Sequence, residues 1–274
     1  MTRVHCVLVA AGSGTRLGAR GPKALVALAG EPLVVHALRG LARSGVLDSI
    51  VVVAPEGRTS HVRDLAAATL AEHGYAGALD VAAGGATRQG SVVAGLDALE
   101  ALAAPADDDV VLVHDAARCL TPPDQIRTVV DAVRAGHGAV VPAVPVTDTL
   151  KRVGAATGTT DGAGAGGATA AGSATDGPPA GGAEPVRATV DRAELRAVQT
   201  PQGFTARVLR SAHAQGAHRA ADEGLAASDD AGLVEALGGV VVVVPGTTAA
   251  LKITTPWDLR VAGLVLADRA AGQD

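Results

Sequence analysis

Short runs of β-branched and aliphatic residues, alternating with segments of helical spacing, leave this 274-residue chain few ways to fold. The runs are Val4–Val9, Ile50–Ala54, Leu79–Ala82, Val110–Val113, Ala139–Val144 and Val240–Val244. They are nearly continuous in apolar character, the pattern of parallel strands covered on both faces. The helical segments are Pro32–Arg43, Arg63–Glu72, Gln89–Leu102, Asp124–Ala135, Ala206–Ala214, Asp229–Leu237 and Pro256–Ala267. In the first of them Leu33, Val34, Ala37, Leu38 and Leu41 share one face. The alternation predicts an α/β fold, a Rossmann-like, doubly wound and mostly parallel sheet with ligands at the carboxyl ends of its strands. The length suits one large domain over residues 1–274, burying roughly 75% of its unfolded surface. Aromatic residues make up only 1% of the chain, so the core is built from Val, Leu, Ile and Ala.

One strand end carries a loop of unusual chemistry. Ala10 to Lys23, directly after Val4–Val9, holds Gly12, Gly14, Gly18 and Gly21 with Arg16, Arg20 and Lys23, and no acid. Glycines let the backbone turn tightly and bring N–H groups to an anion, and the cations add charge at the same place. Such a loop is expected to wrap a polyphosphate; a flexible surface loop with solvated cations is the alternative. The dinucleotide fingerprint fails because Leu17 occupies its third glycine position, which disfavours a dinucleotide oxidoreductase. The P-loop fails because Lys23 lies between Pro22 and Ala24.

Composition excludes several classes of partner. Net charge is −5, which argues against a general nucleic-acid binder, and scarce aromatics remove stacking platforms for single strands. Cys6 and Cys119 stand far apart without metal-ligand spacing and are expected to be idle thiols in a reducing compartment. Neither a signal peptide nor an apolar run of membrane-spanning length is evident, so the expected location is the cytoplasm, away from membranes.

One stretch departs from the pattern. Gly154–Ala183 has 30 residues, ten Gly and ten Ala among them, and only Asp161 and Asp176 are charged. It cannot bury enough surface to offset its ordering entropy and is expected to be a disordered insertion. Growing a loop from about 10 to 40 residues costs only roughly 1.2 kcal/mol of closure entropy. The flanking pieces Thr149–Val153 and Arg187–Asp191 are expected to pair as a protruding β-hairpin arm over residues 145–192.

Four further clusters carry polar residues. Gly84-Gly85-Ala86-Thr87-Arg88-Gln89-Gly90-Ser91 precedes a helix and suits a nucleobase edge or an anion, with helix capping an equal account. Val113-His114-Asp115-Ala116-Ala117-Arg118 follows a buried strand. There Asp115 suits Mg²⁺ held by one carboxylate and substrate phosphates, or a cap on the next turn. His114 is expected to be structural. Pro145-Val146-Thr147-Asp148-Thr149-Leu150-Lys151, with Val190-Asp191-Arg192 and Gln199-Thr200-Pro201-Gln202, offers hydroxyls and an arginine for a second phosphate. Leu251-Lys252-Ile253-Thr254 reads as an apolar strand around a lysine that faces either a ligand or solvent.

Together and in this order, these clusters resemble the 2-C-methyl-D-erythritol 4-phosphate cytidylyltransferase family. The resemblance runs from about Val4 to Ala267, apart from the insertion. The glycine loop is shared with many nucleotidyltransferases, and the later clusters are more specific. The resemblance implies a nucleotidyltransferase fold and transfer of CMP from CTP to methylerythritol phosphate with a divalent cation, Mg²⁺. It implies that Arg16 and Lys23 stabilise the transition state, and that Arg192 and Lys252 position the methylerythritol phosphate. Thr149 and Thr200 match its hydroxyl contacts; Asp115 matches an acid near the metal and the polyol, with Arg118 beside it. Ala10, Ala11, Gly85 and Ser91 match positions framing cytosine, and Gly12 and Gly14 belong to the nucleotide loop. It also implies a homodimer in which the arm takes Thr149 and Arg192 to the partner's site.

Three positions depart from that pattern. Cys119 replaces a common proline, Ala86 stands where an acid often follows the glycine pair, and the insertion lies in the arm. The chain ends soon after Pro256–Ala267, so no fused second enzyme is expected. Ribitol-5-phosphate cytidylyltransferase is the nearest alternative, with the same fold and chemistry. A sugar-1-phosphate nucleotidyltransferase suits the Asp115 and Arg192 clusters poorly. A catalytically dead relative is expected to lack Arg16, Lys23 or Lys252, and all three are present.

Overall fold

The computed structural model describes residues 2–18, 21–154, 184–217 and 229–272. They divide into two compact units, one built from the chain up to Val144 and from Val198 onward, the other from Pro145–Ala197. In the first unit the strands are β1 (Val4–Val9), β2 (Ser49–Ala54), β3 (Ala78–Ala83), β4 (Val110–Asp115) and β5 (Ala139–Pro145). The helices between them are α1 (Leu33–Ser44), α2 (Thr59–Glu72), α3 (Arg88–Ala103) and α4 (Pro123–Arg134). These five strands form within two residues of their expected bounds. Helix α2 begins earlier than expected, at Thr59.

Strand β1 pairs in parallel with both β2 and β4, and β2 with β3. Strands β1, β2 and β4 are buried along almost their whole length, as continuous apolar runs predict, whereas β3 buries only Val81. On β1, Val4, Cys6 and Leu8 enter a core shared with α1, α2 and α4, while Val7 enters a second core under α3. Branched side chains thus fill both faces at a period of two. Helix α3 lies close on this sheet. A Cβ at Gly95 would stand 2.4 Å from a Val7 methyl and 2.7 Å from a Val53 methyl.

The remaining elements of this unit follow Val198. The arm strands are numbered first in chain order, β6 (Leu150–Val153) and β7 (Val186–Val190). Then come β8 (Gln202–Thr205), α5 (Ala206–Gln215), α6 (Asp230–Ala236), β9 (Val242–Pro245) and α7 (Pro256–Ala270). Strand β8 was not apparent in the sequence. It runs antiparallel between β4 and β5, and its Phe204 is fully buried. Strand β9 pairs in parallel with β5 on the other side. Among these strands β1 to β5 and β9 run one way and β8 runs against them, so the sheet is mostly parallel.

The second unit is the hairpin. Strands β6 and β7 pair antiparallel, Leu150 opposite Val190 and Lys151 opposite Thr189. The Lys151 ammonium donates to the Thr189 hydroxyl at 2.6 Å. Of the expected disordered insertion, residues 155–183 lie outside the described residues.

Candidate functional site

At the carboxyl ends of β1 and β4 the first unit opens a cleft of about 480 Å³. Ala10, Ala11, Gly12, Gly14, Arg16, Lys23, Gly85, Ser91, Asp115 and Lys252 all line it. Register explains part of this convergence, because Val9 lies opposite Asp115 across the β1–β4 ladder.

The glycine loop folds back on itself. The Lys23 N–H donates to the Gly12 carbonyl at 3.0 Å, which brings the lysine over the loop's start. Gly14 has φ +78°, and a Cβ there would stand 3.1 Å from the Lys23 backbone. Both the left-handed conformation and the close approach require glycine. A 3₁₀ turn, Thr15–Leu17, then presents Arg16 to solvent at the cleft and buries Leu17. Arg20, a further cation in the sequence, lies outside the described residues.

The opposite wall is the entrance of α3. Thr87 caps it by accepting the Gly90 N–H at 2.9 Å. The Ser91 hydroxyl donates to the Thr87 carbonyl at 2.9 Å and accepts from the Gly85 N–H at 3.2 Å. Capping is therefore present, and it also fixes the Gly85 turn at the cleft wall.

Asp115 is the anionic centre of the site. It makes no cap hydrogen bond to the following turn, so the capping account is set aside. Its Oδ2 meets the Lys252 ammonium at 2.8 Å, and its Oδ1 accepts from the Arg88 Nε at 3.2 Å. Burial alone would raise this carboxyl; Arg88 and Lys252 overcome burial and hold it far below the usual carboxylate range. Lys23 behaves oppositely. Burial, reinforced by the Lys252 charge, lowers its ammonium to about 8, against the pull of Asp115.

Lys252 arrives by a route the sequence did not show. The expected strand around it does not form. Residues 251–254 are an irregular segment with no ladder partner, between the turn Thr248–Ala250 and α7. Ile253 is fully buried and its N–H donates to the Ala117 carbonyl at 2.8 Å. Asp258 accepts from the Thr254 N–H, the Thr254 hydroxyl and the Thr255 N–H at 2.7–2.8 Å. Together these bonds pin the segment immediately after the lysine.

Two expected site residues of this unit, Thr200 and Arg118, do not line the cleft, and two more, Thr149 and Arg192, belong to the hairpin unit. Thr200 stands behind Asp115: its hydroxyl accepts the Asp115 N–H at 3.0 Å and donates to His114 Nδ1 at 2.8 Å, which leaves it buried. Burial lowers His114 to about 4, so the ring is neutral and structural, as expected. Arg118 does not line the cleft; it donates to the carbonyls of Ala250 at 2.8 Å and Val198 at 3.0 Å, tying two returning segments together. Thr149 and Arg192 are exposed in the hairpin unit, where Arg192 donates to the Thr147 carbonyl. Both cysteines are free and buried, and burial pushes the Cys119 thiol up to about 12. Among the described residues no helix is long and apolar enough to cross a membrane.

The sequence reading missed Arg88 as a site residue, although it lines the cleft. It also missed Asp230, which holds Arg88 from behind at 2.9 Å. An arginine in the first turn of a helix was the available signal, since a cation there opposes the helix dipole.

Chemically the cleft is an anion receptor of defined polarity. The glycine loop brings Arg16 and Lys23 to it, and the α3 entrance and the segment before α7 bring Arg88 and Lys252, both paired with the ionised Asp115. Comparison with known proteins places it in context. The family model described as 2-C-methyl-D-erythritol 4-phosphate cytidylyltransferase matches residues 4–170 and 161–268. The protein of that name from Streptomyces coelicolor is 46% identical over 269 residues, 97% of this chain and 86% of its own length. That from Rhodococcus jostii is 43% identical over 268 residues, covering 97% and 96%. The crystal structure of the protein of that name from Thermus thermophilus superposes with a TM-score of 0.64 at 32% identity, covering 96% and 98%.

Proposed function

We infer the roles of these residues from one premise: the chain belongs to the 2-C-methyl-D-erythritol 4-phosphate cytidylyltransferase family. It is a nucleotidyltransferase that moves CMP from CTP to 2-C-methyl-D-erythritol 4-phosphate in isoprenoid precursor synthesis. A phosphate oxygen of the acceptor bonds to the α-phosphorus of CTP, the α–β bridging bond breaks, and pyrophosphate leaves with that electron pair. No covalent enzyme intermediate is required. The protein's part is positioning and neutralisation of charge in an in-line displacement.

The observation that carries the residue assignment is the Asp115–Lys252 pair facing the glycine loop across one cleft. The loop N–H groups, Arg16 and Lys23 hold the triphosphate and stabilise the charge that builds up around the α-phosphorus. A preorganised donor in such a place is worth about 3–4 kcal/mol. Ala10, Ala11, Gly85 and Ser91 frame the base through backbone groups. Lys252 takes the acceptor phosphate, and Asp115 orients Lys252 and a polyol hydroxyl.

Mg²⁺ fits the donor set only as a cation carried mainly by the nucleotide. Among the described residues no group of three or more His, Cys, Asp or Glu side chains comes together, and Asp115 is the one carboxylate on the cleft wall. Such a cation, held by Asp115 and phosphate oxygens, supplies charge neutralisation when bound. We read the hairpin as the dimer element, with Thr149 and Arg192 serving a partner's cleft. Leu150, Val153 and Val186 stay exposed on it, as a partner-facing surface requires. The two free thiols support a reducing compartment, the cytoplasm.

The test is pyrophosphate release with CTP and Mg²⁺, offering methylerythritol 4-phosphate and ribitol 5-phosphate in parallel. Turnover of the first, with little of the second, is expected. Preference for ribitol phosphate would overturn the acceptor assignment.

A further inference from the structure

We propose that Arg88, anchored by Asp230, is a positioning residue for cytidylyl transfer: it fixes the Asp115 carboxylate in the orientation that receives Lys252. The proposal rests on the roles given above to Asp115 and Lys252.

Arg88 is the first residue of α3, and the first turn of that helix holds no acid. A cation at this end opposes the helix dipole. Two carboxylates from distant parts of the chain offset it. Its Nε donates to Asp115 Oδ1 at 3.2 Å, and its Nη1 lies 2.9 Å from Asp230 Oδ2. Asp230 is itself held firmly. It is 1% exposed, its Oδ1 meets His213 Nε2 at 2.9 Å, and its N–H donates to Gln202 Oε1 at 3.1 Å. The result is a continuous run of contacts, His213 to Asp230 to Arg88 to Asp115 to Lys252. It starts on α5, passes the N-terminal ends of α6 and α3, and finishes at the cleft.

A planar guanidinium can engage two carboxylates at once; an ammonium is a single point charge. Arg88 therefore does what a lysine there cannot do fully. Without it, Asp115 Oδ1 loses its charged contact, and among the described residues Lys252 is the ion pair that remains to the carboxylate. The expected loss falls on the acceptor side of the reaction, because the loop that holds the triphosphate is built from its own backbone.

The experiment compares steady-state constants for the wild-type enzyme, Arg88→Met, Arg88→Lys, Asp230→Asn and the double variant Arg88→Met/Asp230→Asn. Arg88→Met is expected to raise KM for methylerythritol 4-phosphate about tenfold or more and to lower kcat, with KM for CTP within about threefold. Arg88→Lys is expected to recover part of that loss. Asp230→Asn is expected to repeat the pattern more weakly. The double variant is expected to be no worse than Arg88→Met alone, because Asp230 acts through Arg88. A folded Arg88→Met with wild-type constants, an equal rise in KM for both substrates, or additive losses in the double variant would overturn the proposal. Should Arg88→Met fail to fold, Arg88→Lys decides by the same acceptor-to-CTP contrast, and its failure to fold would also overturn the proposal. A wild-type enzyme that does not turn over methylerythritol 4-phosphate would instead sink the reading of the site.

Discussion

Under the role proposed for it, Lys23 affects stability and activity in opposite directions. Its ammonium is half-buried beside Lys252, and burial lowers it to about 8. Folding therefore disfavours the charge on which the role proposed for Lys23 at the triphosphate depends. Replacing Lys23 by Ala is expected to cut turnover at least about a hundredfold while the protein stays folded; near-normal turnover would remove it from the mechanism. The pH dependence follows with a definite sign. In the free enzyme Lys23 loses its proton as pH rises through about 8, so kcat/KM for CTP is expected to fall there. Stability should move the other way. Between about 8 and the ordinary lysine range near 10.4, the unfolded chain holds a proton that the folded one has lost, so Lys23 adds stability as pH rises. Denaturant midpoints measured across that window, with Lys23→Met as the flat control, test this. At this scale the sequence was informative where chemistry is local, as in the glycine loop. It was silent on Arg88 and Asp230, because nothing in a linear order joins residues that only the sheet brings together.

Elements carry their own tests. Helix α3 approaches β1 and β2 at Gly95, where even a methyl group meets Val7 and Val53. Gly95→Ala is expected to cost about 1–3 kcal/mol in urea unfolding through overpacking. An unchanged midpoint would mean that α3 shifts at little cost. The start of α7 is held by a capping box between Thr255 and Asp258, which also fixes the segment carrying Lys252. Although burial opposes it, hydrogen bonds from Thr254 and Thr255 hold the Asp258 carboxyl at about 2. Its contribution is thus complete above the ordinary aspartate range near 3.9 and is lost as pH falls through about 2. Asp258→Ala is expected to cost about 1 kcal/mol and to raise KM for methylerythritol 4-phosphate several-fold; stability loss alone would separate the cap from Lys252. The parallel strands were legible because burial on both faces writes itself as continuous valine. Strand β8 was not: Gln202-Gly203-Phe204-Thr205 has a glycine and only four residues, and its strand character comes from β4 and β5 on either side. The lysine segment failed in the other direction, since apolar flanks looked like a strand but serve to anchor an irregular stretch.

For the whole molecule, the two units make separate predictions. Deleting Gly154–Ala183 is expected to leave folding, activity and the proposed dimer largely intact, as judged by sedimentation and pyrophosphate release. A monomeric, inactive product would show that this stretch takes part in assembly. The body has a different vulnerability, set by the order in which it is made. A nascent chain releases β4 and β5 well before β8, yet β8 is the strand that joins them. Until Thr205 has left the ribosome, the Val110–Val113 edge of β4 is an open, apolar template that another nascent chain can pair with. Aggregation during synthesis should therefore peak for chains stalled between Pro145 and Gln202, and drop once the late strand has closed the gap.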